Sequence, residues 1–138
     1  MRGLMPNQVR LGVTLLRVVV ASVFVIHGIT RLMNGGVAGF GGFIGSWGFP
    51  AGVALAWAIT VVEVLGGLSL AAGYGVRVLA AWFAIVIATG IVMVHASNGW
   101  FVVGAGRNGV EYSVLIIASL VAVALADSAG YRLVSRSS

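Results

Sequence analysis

Cysteine and lysine are both absent from the chain, and only three acids occur, Glu63, Glu111 and Asp127. Without a thiol there is no disulfide, no thiolate ligand and no electron relay through the protein's own sulfur, so a redox role requires a bound cofactor or a partner. Charge of either sign is scarce. Only 8% of the 138 residues are charged and 60% are hydrophobic, with a mean hydropathy of +1.11. Soluble globular domains carry about 25% charged residues. No stretch remains from which a separate water-soluble core could be built, and a single unit covering 1–138 is expected. With all eight basic side chains being arginine, the net charge is +5. In a soluble protein that excess would suggest nucleic acid; here the arginines flank apolar runs and serve as topology signals, so lipid and not nucleic acid is the expected surrounding.

What the chain does contain is four apolar runs, at 11–32, 51–72, 76–96 and 110–126. A hydrocarbon core of about 30 Å is crossed by about 20 helical residues, with about 17 as the lower limit, so each run can span. The expected fold class is all-α, an integral membrane four-helix bundle. The first run is too long for the apolar part of a cleaved leader, contains Arg17 and precedes three further runs, which marks it as a span. Four spans put both termini on one side. Arg2, Arg10, Arg77, Arg132 and Arg136 gather there, with Arg17 able to snorkel toward them, while Arg31 and Arg107 lie opposite. The positive-inside rule then makes both termini and the Gly73 to Gly75 turn cytoplasmic. Between the first two spans, NGGVAGFGGFIGSWGFP mixes glycine with Phe40, Phe43, Ile44, Trp47 and Phe49, a composition expected of an interfacial or re-entrant segment. The loop from Ser97 to Gly109 carries Trp100 and Phe101, suited to the headgroup level.

The stretch FVIHGITR, Phe24 to Arg31, places His27 and Arg31 four residues apart on one side of the first helix. At 100° per residue Arg17, His27, Gly28 and Arg31 form one polar stripe. Glu63 shares a face with Ala56, Thr60 and Gly67; Arg77 and His95 flank Ala81, Ala84 and Ala88; Glu111 aligns with Ala118 and Ala122. These small-residue faces are expected to meet. An ionised group at mid-membrane costs about 3 kcal/mol on insertion scales, so Glu63 should be paired or protonated. Measured from the cytoplasmic ends, Arg17 lies roughly 9 Å deep and Glu63 roughly 13 Å deep at 1.5 Å per residue, and an Arg17–Glu63 ion pair is expected to hold the first two helices. The outward halves hold His27, Arg31, His95, Asn98, Arg107, Glu111 and Tyr112 at one level, which predicts a polar pocket open to the outer side. Its ligand-binding candidates are His27, Arg31, Glu63, His95 and Glu111. Structural uses stand beside these: His27 bonded to a carbonyl, Arg31 snorkelling to headgroups, Glu111 paired with Arg107 at a helix start.

FVIHGITRL closing the first span, GFIGSWGFP before the second, VEVLGGLSLAAGYGVR leading into the third, HASNGWF after it and GVEY opening the fourth together resemble the DoxX family of small bacterial membrane proteins. The family pattern usually has lysine where Arg31 stands, so the charge is kept and lysine-specific chemistry is not. The resemblance implies a four-helix protein of the bacterial plasma membrane, related to a membrane subunit of thiosulfate:quinone oxidoreductases and associated with other membrane or peripheral redox subunits. In that setting the pocket suits a quinone-like or lipidic ligand: imidazole donates to a carbonyl and exchanges a proton, and guanidinium favours a reduced, anionic form. His27 and His95 at matching levels also suit axial ligation of haem, but no supporting motif accompanies them, and no metal is expected. A different class of function, a non-enzymatic assembly factor or anchor in a larger membrane complex, fits the scarcity of residues outside the spans. Self-association and a small transporter also remain open.

Overall fold

The computed structural model describes residues 7–128; Arg2, Arg132 and Arg136, three of the arginines behind the expected orientation, lie outside them. Those residues form helices and connecting loops, with no strand among the described residues. In chain order the helices are α1, Asn7–Met33; α2, Val37–Ser46; α3, Gly52–Ala72; α4, Val76–Asn98; and α5, Glu111–Ser128. All but α2 are long and apolar enough to cross a membrane. The four expected runs coincide with them to within a few residues. At about 1.5 Å per residue α2 reaches only about 15 Å, half of a bilayer core.

The helices form a ring: α1 packs on α3 and on α5, α5 packs on α4, and α3 meets α4 mainly near their shared turn. That turn closes on Gly73 (φ +90°) and Gly75 (φ +60°), with the Gly73 and Tyr74 amides bonded back to Leu70 and Ser69. Only residues free of a Cβ adopt such angles without cost. Lipid tails are as apolar as leucine, so the helices associate through close packing instead of hydrophobic exclusion. Glycines set the approach. A Cβ on Gly28 would lie 2.7 Å from Val64 Cγ2, and one on Gly67 would lie 2.6 Å from Val25 Cγ2. Between α2 and α3, a Cβ on Gly52 would lie 2.3 Å from the Gly41 carbonyl oxygen, so α2 lies nearly backbone to backbone on the start of α3.

Phe24 and Phe83 stack at the centre with ring centroids 4.0 Å apart, surrounded by Val20, Ala21, Leu70, Ala80, Leu120 and Val123. The small-residue faces meet as expected on α1 and α3, where Ala21, Gly28, Ala56 and Gly67 are buried. On α4 only Ala84 of the expected stripe packs against the core, and on α5 the stripe stays outside it. Ala81, Ala88, Ala118 and Ala122 are exposed, and Val76, Ala80 and Phe83 on α4 pack with Leu120 and Val123 on α5. Alanine meets no penalty facing lipid, whereas the space between α4 and the rest of the ring needs bulk to fill it.

Candidate ligand-binding site

Glu63 lies at the second position of a π-wound stretch, Val62–Gly66, inside α3. A π turn bonds i to i+5 and re-aims the side chains it carries, and such turns occur often at functional sites. The side chain is buried at 8% exposure, and its Oε2 is held by Arg31 Nη1. The same Nη1 donates to Thr60 Oγ1 at 2.9 Å, and the Thr60 hydroxyl donates in turn to the Ala56 carbonyl at 2.7 Å. The Arg31 guanidinium also lies over the Phe40 ring, 4.2 Å from its centroid. Arginine is suited to this combination of fork and flat face. Its place in the last turn of α1 adds a favourable interaction with the helix dipole.

The expected Arg17–Glu63 ion pair is therefore replaced by Arg31–Glu63. Register explains the correction. Gly28 faces Thr60, Glu63 and Val64; Gly67 faces Ala21 and Val25; Gly73 faces the Arg17 guanidinium. The antiparallel pairing places Arg17 ten residues from Glu63 along α3, about 15 Å. Depth counted separately from each helix end misses this, because the two ends are not level: Arg17 lies beside the Gly73 turn, so α1 runs from Asn7 to Leu16 past the end of α3. Arg17 is buried beside the α3–α4 turn, where its Nε has no hydrogen-bond partner among the described residues.

A cleft of about 410 Å³ opens beside Glu63, between α1, α3, α4 and α5. His27, Glu63 and His95 all line it, together with Asn108, Tyr112 and Ser113, and Phe24, Ile87 and Ile116 form apolar walls. His27 Nδ1 donates to the Val23 carbonyl at 2.8 Å, and His95 Nδ1 donates to the Asn108 carbonyl at 2.7 Å. A carbonyl only accepts, so both rings carry the proton on Nδ1, and in the neutral imidazole Nε2 is left as an acceptor. His95 closes a second π-wound stretch, Ile91–His95. Both ionisable residues that α3 and α4 contribute to the cleft thus ride on π turns.

The remaining candidates stand elsewhere. Arg31 lies behind Glu63, outside the cleft lining. Glu111 Oε1 accepts the Val102 amide at 2.8 Å and so organises the loop that covers the cleft; Arg107 is exposed on that loop. Glu111→Ala is expected to cost about 1.5–3 kcal/mol, the range for a hydrogen bond to a charged group, and hydrogen exchange at the Val102 amide should speed up accordingly. No motif in the sequence alone marks Thr60, Phe40, Asn108 or Ser113 as site residues. Ser113 was accessible to periodicity, since it heads the buried face of α5 through Ile116, Leu120 and Val123. Asn108 acts through its backbone at φ +55°, for which asparagine's tolerance of the left-handed region is the one sequence signal. Among the described residues no group of three or more histidines, cysteines or acids is arranged to hold a metal ion.

A second cavity, about 290 Å³ and almost wholly apolar, lies where α3 and α4 separate under α2, lined by Phe40, Phe43, Ile59, Trp82, Val86 and Met93 among others. Phe40 is shared between this slot and the Arg31 clamp.

Compared with known proteins, the DoxX family model matches residues 12–96, more than half of the chain. The chain belongs to the DoxX family. The segment matched in this DoxX protein includes His27, Arg31, Glu63 and His95 and stops before Glu111, Tyr112 and Ser113. A protein of Bacillus subtilis (strain 168) named "Putative oxidoreductase CatD" is 26% identical over 124 residues, covering 90% of this chain and 85% of that protein. No solved structure matches the chain. Family and helix pattern together make this a multi-pass membrane protein.

Proposed function

We propose that this DoxX protein is a membrane subunit whose cleft holds the head of a quinone-like or lipidic amphiphile and which recruits a redox partner. The convergence of His27, Glu63 and His95, drawn from three spans onto one cleft, carries this assignment. Intramembrane ionisable side chains are costly, and their gathering at one wall-lined space favours a ligand site over three separate structural roles. The residues fit such a ring: Phe24, Ile87 and Ile116 offer apolar walls, and the polar groups sit around them. A bound quinone would supply the two-electron chemistry that a chain without cysteine lacks; the residues here bind and orient it and offer proton acceptors. The separate apolar slot, bordered by the same Phe40 that supports Arg31 and sharing no lining residue with the cleft, suits a hydrocarbon chain. The arginine distribution supports a bacterial plasma-membrane protein with cytoplasmic termini, which makes the cleft outward-facing.

The test is to purify the chain, extract its bound lipids and titrate a short-chain naphthoquinone. Saturable binding weakened by His27→Ala and Glu63→Gln is expected. Absence of saturable binding, with both variants behaving as wild type in the cell, would defeat the assignment. A second role, as a non-enzymatic anchor within a larger complex, is favoured by how few of the described residues lie outside the helices. Stable co-purification with other subunits, unaffected by neutralising the cleft, would select it.

A further inference from the structure

The hydrogen-bond inventory of the cleft separates donors from acceptors. His27 and His95 spend their Nδ1 protons on the Val23 and Asn108 carbonyls, leaving Nε2 of each neutral ring as an acceptor. Glu63 gives Oε2 to Arg31, and among the described residues Oε1 receives no hydrogen bond. The cationic donor that could have met a ligand carbonyl, Arg31, is engaged by Glu63 and Thr60 and lies outside the cleft lining. Ser113 and Tyr112 carry hydroxyls, and Asn108 a carboxamide, that serve in either role. Every group in the wall whose role is fixed by a partner therefore accepts.

Resting on the ligand assignment above, we propose that the cleft selects the hydroxyl-bearing, two-electron-reduced form of its ring ligand over the carbonyl form. A diol donates to the waiting acceptors. A dione presents only lone pairs, leaving Nε2 and Oε1 desolvated and unmatched, and a site built around a ligand hydroxyl discriminates strongly against an analogue that lacks it. This reverses the role that imidazole has in the sequence alone, where it donates to a quinone carbonyl, and it assigns the preference for a reduced ligand to the acceptors of the wall instead of to the Arg31 guanidinium. The selectivity concerns binding, and no electron transfer is invoked.

Isothermal titration of the full chain in detergent, under anaerobic conditions, with 2,3-dimethylnaphthalene-1,4-diol and with 2,3-dimethyl-1,4-naphthoquinone separates the outcomes. The diol is expected to bind at least about tenfold more tightly, the equivalent of one hydrogen bond to a charged or well-aligned group. His27→Phe, which keeps a ring and removes one acceptor, is expected to shrink that ratio severalfold, while Val92→Ala, on the exposed face of α4, leaves it unchanged. Equal binding, or tighter binding of the quinone, overturns the inference and leaves the ligand site standing. Binding of neither probe removes both. Because the wild-type ratio is decisive alone, a poorly folded variant does not protect the proposal.

Discussion

Glu63→Ala is expected to lower the unfolding free energy of the detergent-solubilised protein by about 3–5 kcal/mol, the usual cost of leaving one member of a buried ion pair alone. Arg31 would remain between Thr60 and the Phe40 ring with no counter-charge. At 17% side-chain exposure it has little water to replace the carboxylate. The pair itself is worth far less than its disruption. Charge desolvation offsets most of the attraction, so removing both partners together, as in Arg31→Met with Glu63→Met, should cost much less than the sum of the single changes. Chemical denaturation of the two single variants and the double variant gives the coupling directly. Additive losses would mean that Arg31 and Glu63 do not pair. Since α1 and α3 meet here, the singles should also lose ligand binding, whereas Arg17→Met, ten residues away along the seam, should retain it.

Gly28→Leu is the second large effect. A Cβ at this position would meet Val64 Cγ2 at 2.7 Å, Glu63 Cβ at 3.2 Å and the Thr60 carbonyl oxygen at 3.2 Å. The valine methyl can turn aside, but the carbonyl is helix backbone and cannot. Relief requires α1 to move away from α3 at the level of the Arg31–Glu63 pair. Overpacking of this kind costs about 1–3 kcal/mol, to which the weakened ion pair adds. Gly12, on the same helix, has nothing within 4 Å of a built Cβ. Gly12→Leu should therefore change stability by less than about 0.5 kcal/mol, as exposed substitutions do. Thermal unfolding of the pair in one detergent distinguishes a specific contact from a general intolerance of leucine in α1.

The four spans are legible in the sequence because length and predominant apolarity decide them, and a few ionisable residues do not override a run of about twenty mostly apolar ones. Which residues meet was legible only in part. His27, Glu63 and His95 stand out by their cost in a membrane, and the structure brings these three to one cleft. Arg31, which its spacing from His27 assigns to the same pocket, stands behind the cleft as the partner of Glu63. That exchange depended on the register of α1 against α3, which Gly28 and Gly67 fix through contacts that periodicity does not encode. The two π turns were equally hidden: a helical wheel at 100° per residue assumes uniform winding, and Val62–Gly66 and Ile91–His95 depart from it where Glu63 and His95 lie. On α5 the stripe through Ala118 and Ala122 was favoured for its small side chains, whereas Leu120 and Val123 fill the core. Small residues mark close helix contacts only where the backbones approach, as α1 and α3 do.

The natural absence of cysteine makes the central geometry directly measurable. With cysteines placed at 27 and 95, and treatment of native membranes with a short rigid bis-maleimide, intact-mass spectrometry counts bridged against doubly modified chains without background from other thiols. Convergence of α1 and α4 on one cleft predicts a predominantly bridged product for the 27/95 pair. The 27/92 pair, whose second position is 70% exposed on the outer face of α4, should give two separate adducts. Two separate adducts for 27/95 as well would contradict the cleft and the ligand site built on it.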